Sequence, residues 1–252
     1  KYKAVALRLL IDLYVNQNEW HRAVDVANRL QLASGQSYAS EVAHFMVEIS
    51  SQHHCDGDDA KAIDWLRKSL NVDPQAPRPR IALGQVLKSQ GRYLEAIHEL
   101  TQLELESSSF IGLVSDALIE CHDKLGTKNQ CLDKFKKLIE LSSSHDLLVK
   151  TFEMSMELEG QVTACDLARK FLKTTTDVGW AIPILESIKN DIAEASTADV
   201  DLLIEMAKQY RQEEAYICDS CGFLAHAHYW RCPACRQWDT YTPTSSAKGV
   251  PA

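Results

Sequence analysis

Four cysteines near the end of the sequence have the spacing of a metal site. Cys218 and Cys221 form one C-x2-C pair, and Cys232 and Cys235 form a second pair after a spacer of ten residues. Two thiolates three positions apart can hold one ion from a single tight turn, so two such turns supply the tetrahedral sulfur shell of zinc or iron. We therefore predict that these cysteines bind one iron or zinc ion. Because a closed thiolate shell has no open coordination position, we expect no catalysis at the metal.

The residues around the cysteines favour a small metal ribbon. Gly222 can take the positive φ that turns backbone N–H groups toward the sulfurs, and Pro233 stiffens the second turn. Arg236 stands where a second glycine is expected, so the sequence leaves the shape of the second turn open. The spacer 222–231 is long enough for two short strands and a turn. A unit of this size has almost no core of its own and needs a metal or disulfides to fold.

Two disulfides are the alternative use of the same four cysteines. Disulfides suit small secreted domains, and no signal peptide is expected here. The remaining cysteines are scattered singly through helical sequence, as apolar core residues are: Cys55, Cys121, Cys131 and Cys165. This context favours the metal. A zinc deaminase site is excluded because its H-x-E motif is missing before Cys232. His226 and His228 are predicted to be exposed turn or strand residues rather than metal ligands.

Composition indicates a soluble protein with a sizeable core. The chain has 252 residues, 45% of them hydrophobic, and a net charge of -8. This charge argues against a nucleic-acid-binding surface, and the segment 216–241 carries two arginines against two aspartates. No segment has the apolar length needed to span a bilayer. The first residue is Lys1 and helical sequence is already running there, so we expect the chain to begin part-way through a larger protein.

Helical hairpins recur along the rest of the chain with a period close to the 34 residues of tetratricopeptide units. A small residue is expected where the second helix of each hairpin crosses the first, and these residues follow at steps of 39, 34, 35 and 33: Ala23, Ala62, Ala96, Cys131 and Ala164. In the clearest copy, Gly84 and Ala96 let two helices approach closely. Residues 177–211 are predicted to form a last, degenerate hairpin that closes the array.

The predicted fold class is all-α, a tetratricopeptide-repeat solenoid followed by a small β metal ribbon. The repeat domain is assigned to residues 1–211, the rubredoxin-type metal-binding domain to 215–243, and a disordered tail to 244–252. The short link between the two domains predicts that the ribbon docks on the repeats. The concave side of such an array is the usual surface for peptides or partner helices.

Nothing in the sequence indicates an active site, so no catalytic residues are assigned and the chain is predicted not to be an enzyme. Gly-rich phosphate loops, G-x-S-x-G and H-E-x-x-H are missing. The segment 53–56, His-His-Cys-Asp, has metal-capable side chains, but loop polarity explains it as well. The lysines at 134, 136 and 137 are predicted to form a solvated face.

The combination of repeats and cysteine pairs resembles one family. The cysteine motif reads Tyr216-x-Cys218-x2-Cys221-Gly222-Phe223, then Tyr229-Trp230-x-Cys232-Pro233-x-Cys235-x2-Trp238. It is rubredoxin-like, and after tetratricopeptide hairpins it is similar to the lipopolysaccharide assembly protein B family of Gram-negative bacteria. Residues 19–27 and 41–45 also resemble the repeats of that family.

The resemblance implies a non-enzymatic adaptor at the cytoplasmic face of the bacterial inner membrane, anchored by an N-terminal helix that is not in this otherwise soluble chain. Its implied partners are the membrane protease FtsH and the deacetylase LpxC, whose degradation the family promotes, and other lipopolysaccharide assembly proteins. Only the four cysteines map onto the functional motif of the family. Rubredoxin similarity suggests iron, but the ten-residue spacer is shorter than in electron-carrying rubredoxins, which favours a structural metal.

Two other functions remain open. One is a redox or electron-transfer module that uses a rubredoxin-type iron site and a partner reductase. The other is a generic repeat scaffold for protein-complex assembly, because tetratricopeptide patterns occur in many unrelated proteins. A nucleic-acid-binding zinc ribbon is disfavoured by the missing basic surface.

Overall fold

The computed structural model describes residues 2–106, 110–141, 145–172, 182, 204, 216–225 and 227–241. These residues form ten helices and two strands: α1 Tyr2–Asn16, α2 Trp20–Ser34, α3 Ala39–Cys55, α4 Asp59–Val72, α5 Pro77–Ser89, α6 Tyr93–Glu106, α7 Ile111–Lys124, α8 Lys128–Leu141, α9 His145–Glu159, α10 Gln161–Leu172, β1 Tyr216–Ile217 and β2 Leu224–Ala225. The predicted fold class is confirmed. The predicted hairpin at 177–211, apart from Ile182 and Ile204, lies outside the described residues, as do His226 and the tail 244–252.

The predicted crossing residues hold the same place in five successive hairpins. Each is the fourth residue of an even-numbered helix, from α2 to α10. All are at most 1% exposed: Ala23, Ala62, Ala96, Cys131 and Ala164. In α5, a Cβ added at Gly84 would lie 2.5 Å from the side chain of Leu100 in α6, so this crossing is close enough to require glycine.

A residue with positive φ turns the chain between the two helices of each of the five described hairpins. Asn18, with φ of 58°, serves the first hairpin, and glycines at positions 57, 91, 126 and 160 serve the others. A left-handed residue at this point ends the first helix, and glycine or asparagine adopts it at low cost. At the second hairpin, the Asp58 carboxylate also accepts a hydrogen bond from Lys61 N at 3.1 Å and caps α4.

The chain divides into two compact units, of which the first comprises Lys1–Phe110 with Asp116–Leu125. In this unit, each helix from α1 to α5 packs against the next one, up to α6. One core cluster joins residues of α3 to α7, among them Val47, Leu66, Leu83 and Cys121. Its continuity across helices is expected of repeats that each bury their apolar face against a neighbour.

Ion pairs join the first helices of neighbouring hairpins in this unit. Arg8 of α1 contacts Glu41 of α3 at 2.9 Å, and Arg78 of α5 contacts Glu48 of α3 at 2.5 Å. The Lys88 ammonium of α5 likewise pairs with Glu120 of α7. Because each cation faces a carboxylate, the first helices do not present a continuous basic surface along these positions.

The second unit comprises Ile111–Ser115 and Gly126–Ala252. Its helices α8, α9 and α10 pack in sequence, with Phe135, Phe152 and Ala168 buried. Lys136 was predicted to lie on a solvated face, but its half-buried ammonium contacts Glu159 at 2.5 Å and links α8 to the end of α9. The hydrogen bond from Ser155 to the same carboxylate holds Glu159 in place for this pair.

One expectation about the single cysteines is corrected. Cys121 and Cys131 are core residues as expected, and Cys165 is half-buried, but Cys55 is exposed at the end of α3. Beside it, His54 Nδ1 lies 2.5 Å from Asp59 Oδ1, so this histidine has a carboxylate partner in the next helix.

Among the described helices, none combines the length and the apolar character that crossing a bilayer requires.

Candidate metal centre

Two short antiparallel pairings bracket the two cysteine turns. Strand β1 pairs with β2 in the register Tyr216 with Ala225 and Ile217 with Leu224, which encloses Cys218 and Cys221. A bridge between Arg231 and Trp238 encloses Cys232 and Cys235 in the same manner. The spacer 222–231 is long enough for two short strands and a turn, and its described residues include β2 and the bridge residue Arg231. Each pair of cysteines therefore lies in the loop that one of these two backbone pairings closes.

The two turns have the same backbone hydrogen bonds, and we call them the first knuckle (218–222) and the second knuckle (232–236). In the first, Gly222 N donates to Cys218 O at 2.8 Å, and in the second, Arg236 N donates to Cys232 O at 2.9 Å. Cys218 N donates to Phe223 O, and Cys232 N donates to Gln237 O, both at 2.9 Å. The second knuckle therefore keeps the shape of the first although it lacks the glycine.

Arg236 keeps this shape by adopting φ of 64°, against 75° at Gly222. The left-handed conformation costs a non-glycine residue about 1 kcal/mol or more. We therefore expect Arg236→Gly to strengthen metal binding by about 1 kcal/mol, because this strain disappears while the backbone hydrogen bonds remain. Competition with a chromophoric chelator measures the affinity. Gly222→Ala is the matched control and should weaken binding, and weaker binding by Arg236→Gly would contradict the strain argument.

The four sulfurs lie at distances that suit one tetrahedral ion. All four Sγ atoms are within 4.8 Å of one another. Cys218 Sγ is 3.7 Å from Cys235 Sγ, and Cys221 Sγ is 3.7 Å from Cys232 Sγ. Sulfurs bound to one ion at about 2.3 Å are about 3.8 Å apart in a tetrahedron, whereas a disulfide needs about 2.05 Å. The residues present thus fit a single metal ion in a four-sulfur shell, and this set of donors suits both zinc and iron.

Burial and hydrogen bonding distinguish the four thiols. Burial raises the pKa of Cys232, but backbone N–H groups of its knuckle and the Tyr241 hydroxyl outweigh it and lower that pKa to about 6. Burial likewise raises the pKa of Cys218, but the neighbouring Thr240 side chain and the backbone N–H groups of the first knuckle outweigh it and lower that pKa. Although Phe223 N–H lowers the pKa of Cys221, burial and the other three sulfurs raise it to about 12. An ion that binds all four sulfurs at neutral pH must therefore displace the Cys221 proton.

Two residues that sequence reasoning did not assign to the site complete its small core. Tyr241 is 1% exposed and forms one cluster with Cys218, Cys232 and Ala225. His228 was predicted to be exposed, but it is half-buried, and its Nε2 lies 3.0 Å from Tyr241 O. Its ring also packs edge-on against Tyr216 and Trp230.

The ribbon also has exposed apolar side chains. Phe223 is 41% exposed, Leu224 50% and Tyr229 45%. Docking of the ribbon on the helical repeats would cover side chains of this kind and remains a prediction. The assignment of the four cysteines as ligands also remains a prediction, although the structure brings all four together.

Comparison with known proteins agrees with the resemblance predicted from the sequence. Residues 216–243 match the sequence model of the family described as "Rubredoxin metal binding domain". The chain is also 24% identical over 251 residues to "Lipopolysaccharide assembly protein B" of Escherichia coli strain K12, covering 99% of this chain and 64% of that protein. The protein of the same name from Haemophilus influenzae is 24% identical over 249 residues, covering 96% of this chain and 61% of the relative. The chain thus spans less than two thirds of the length of these curated relatives.

Solved structures give more distant likenesses. Pseudomonas aeruginosa PilF has a TM-score of 0.46 and 15% identity, covering 83% of this chain and 94% of that one. A structure of MamA MSR-1 has a TM-score of 0.39 and 15% identity, covering 68% of this chain and 95% of that one.

Proposed function

We propose that this chain is the adaptor portion of a lipopolysaccharide assembly protein that acts at the cytoplasmic face of the inner membrane. In this function, it brings the membrane protease FtsH and the deacetylase LpxC together and so promotes degradation of the deacetylase. The observation that carries the proposal is the similarity to lipopolysaccharide assembly protein B, which extends through both the repeats and the ribbon over 99% of the chain.

The geometry of the metal centre supports a non-enzymatic function. Four cysteine sulfurs are enough to fill a tetrahedral shell, which leaves no position for a substrate or an activated water. A metal ion bound to all four cysteines would cross-link the two knuckles. The protein then contributes a rigid ribbon and a helical array that can each present a docking surface.

The charge pattern of the first helices supports protein partners over nucleic acid. Arg8, Arg78 and Lys88 each contact a carboxylate of a neighbouring first helix. Paired charges of this kind lack the unneutralised cations with which proteins displace counterions from phosphate backbones. Peptide or helix recognition by a repeat array needs shape and short-range contacts more than net positive charge.

An adaptor acts by raising the effective concentration of one partner near the other, which gives the proposal a clear test. The half-life of LpxC is measured in cells that lack the endogenous protein and express this chain, or this chain fused to a membrane helix, at matched levels. We expect the anchored form to shorten the half-life several-fold and the free form to have little effect. An anchored form with Cys218→Ser and Cys221→Ser should lose activity, whereas anchored Cys165→Ser is the matched control.

The possible outcomes separate the alternatives. If the half-life of LpxC is the same in cells that express any of these forms and in cells that express none of them, the adaptor proposal is wrong. If the anchored double cysteine variant shortens the half-life as much as the unaltered anchored form, the ribbon has no part in the activity. A generic scaffold would bind partners without changing the half-life, and an electron-transfer module would show a reversible iron couple on electrochemical titration.

A further inference from the structure

The Tyr241 hydroxyl lies between the two knuckles in the core of the ribbon. It is 3.7 Å from Cys232 Sγ of the second knuckle and 3.3 Å from Phe223 O, which directly follows the first knuckle. The tyrosine is 1% exposed, so water does not compete for the hydroxyl hydrogen. A phenol has only one hydrogen to donate, and the described residues place these two acceptors within its reach.

The two acceptors differ in the other hydrogen bonds that they accept and in their charge. Phe223 O already accepts a hydrogen bond from Cys218 N at 2.9 Å. Cys232 Sγ accepts a hydrogen bond from Cys235 N at 3.5 Å, and as a metal ligand it is a thiolate that can accept but not donate. Hydrogen bonds to ionised acceptors are stronger than those to neutral ones. With a metal ion bound, the hydroxyl hydrogen therefore favours the sulfur, and Phe223 O is still satisfied by Cys218 N.

The backbone around Tyr241 is held so that its side chain cannot easily move away. Tyr241 O lies 3.0 Å from His228 Nε2. Thr240 O accepts from Asp219 N at 2.9 Å, and Asp239 N donates to Trp230 O at 3.0 Å. These contacts attach the segment 239–241 to the first knuckle and to the residues 228 and 230 that precede the second one. The hydroxyl is thus positioned before the metal binds, which lowers the entropy cost of its hydrogen bond.

We propose that Tyr241 is a positioning residue of the metal centre, whose hydroxyl donates a hydrogen bond to the Cys232 thiolate and slows the release of the metal. A hydrogen bond withdraws electron density from this sulfur and makes it a poorer target for protons and electrophiles. It also ties the second knuckle to the chain segment that closes the ribbon. The inference concerns the ribbon alone and does not depend on the proposed adaptor function.

Tyr241→Phe removes the hydroxyl and keeps the ring that fills the core. In the full chain loaded with zinc, this variant should release zinc to excess chelator about tenfold faster, the change expected for loss of one hydrogen bond to a charged group. Tyr229→Phe is the matched control, because Tyr229 is 45% exposed and its ring lies 6.1 Å from that of Tyr241. The zinc content of each sample is measured first.

A spectroscopic readout separates the hydrogen bond from simple packing. In the cobalt-substituted chain, a hydrogen bond lowers the energy of the sulfur lone pairs, so Tyr241→Phe should shift the sulfur-to-cobalt charge-transfer band to longer wavelength. Tyr229→Phe should leave the band in place. An unchanged band together with unchanged zinc release in Tyr241→Phe would overturn the proposal.

A second measurement uses the unaltered chain and therefore does not depend on the folding of a variant. In the cadmium-113 form, a proton hydrogen-bonded to a ligand sulfur is coupled to the metal. We expect this coupling for the Tyr241 hydroxyl proton and for the Cys235 N–H, which donates to the same sulfur. Coupling at Cys235 without coupling at Tyr241 would refute the proposed hydrogen bond.

Discussion

Cys232→Ser is expected to release the metal and unfold the ribbon while the helical repeats stay folded. Structural zinc sites contribute about 10 to 16 kcal/mol to the folding of small domains, so the loss of one ligand removes most of the stability of this unit. The core that remains is small, since the buried cluster of the ribbon is Cys218, Ala225, Cys232 and Tyr241. Without an ion, two of these four residues are thiols that lose their common partner.

The measurement combines metal content with amide hydrogen exchange. In the wild-type chain, the N–H groups of Cys218 and Cys232 that bond across the knuckles should exchange slowly, and Cys232→Ser should bring both to the rate of an unfolded chain. Cys165→Ser is the control, because this cysteine is half-buried in α10 and outside the cysteine cluster. Removal of the metal from wild type by a chelator should reproduce the effect. A metal-free ribbon with unchanged protection would contradict the prediction.

The features that sequence could predict are those in which a residue type has a strict geometric meaning. A close helix crossing admits only small side chains, so the positions of Ala23, Ala62 and Ala96 predicted three hairpins in the correct register. The cysteine spacing is equally restrictive, because only tight turns bring sulfurs three residues apart onto one ion. In both cases, the constraint acts over a few neighbouring residues.

The unpredicted features depend on chain segments that meet only in the folded ribbon. Tyr241 is nine positions beyond Cys232, and its hydroxyl reaches the sulfur because Asp219 N binds Thr240 O and turns the last segment back over the site. His228 is half-buried for the same reason, since its partner is Tyr241 O. Such pairings follow from tertiary backbone contacts, which local residue preferences do not specify.

Surface ion pairs were unpredictable for a different reason. Lysine and arginine side chains are long and flexible, so many carboxylates are within reach of each one. Sequence indicated that Lys136 belongs to a charged helix face, but the choice of Glu159 depends on the relative placement of α8 and α9. Each pair of this kind contributes little to stability, so stability does not require particular residues at these positions of the sequence.

Phe45→Ala is expected to lower the free energy of unfolding of the first unit by about 3 to 5 kcal/mol, the usual cost of deleting a buried phenylalanine ring. Phe45 of α3 is 1% exposed, and its ring stacks on that of Trp20 in α2, with centroids 6.2 Å apart and an angle of 30° between the rings. This contact joins the first hairpin to the second. The substitution therefore leaves a cavity at an interface between repeats rather than inside one of them.

Leu32→Ala is the matched control, because Leu32 of α2 is 87% exposed and its removal should change stability by at most about 0.5 kcal/mol. Urea unfolding followed by helical circular dichroism measures both variants. Hydrogen exchange then locates the effect.

In a repeat array, stability is the sum of the stabilities of the repeats and of the interfaces between neighbours. Weakening the interface at Phe45 should therefore increase exchange in α1 and α2 more than in α5 and α6, which are joined to α3 and α4 by the separate core of Val47, Leu66, Leu83 and Leu87. Equal loss of protection in all six helices would show that this unit unfolds as one cooperative block. In that case, a partner that binds any one hairpin would stabilise all three, whereas separable hairpins would allow a partner to order only those that it contacts.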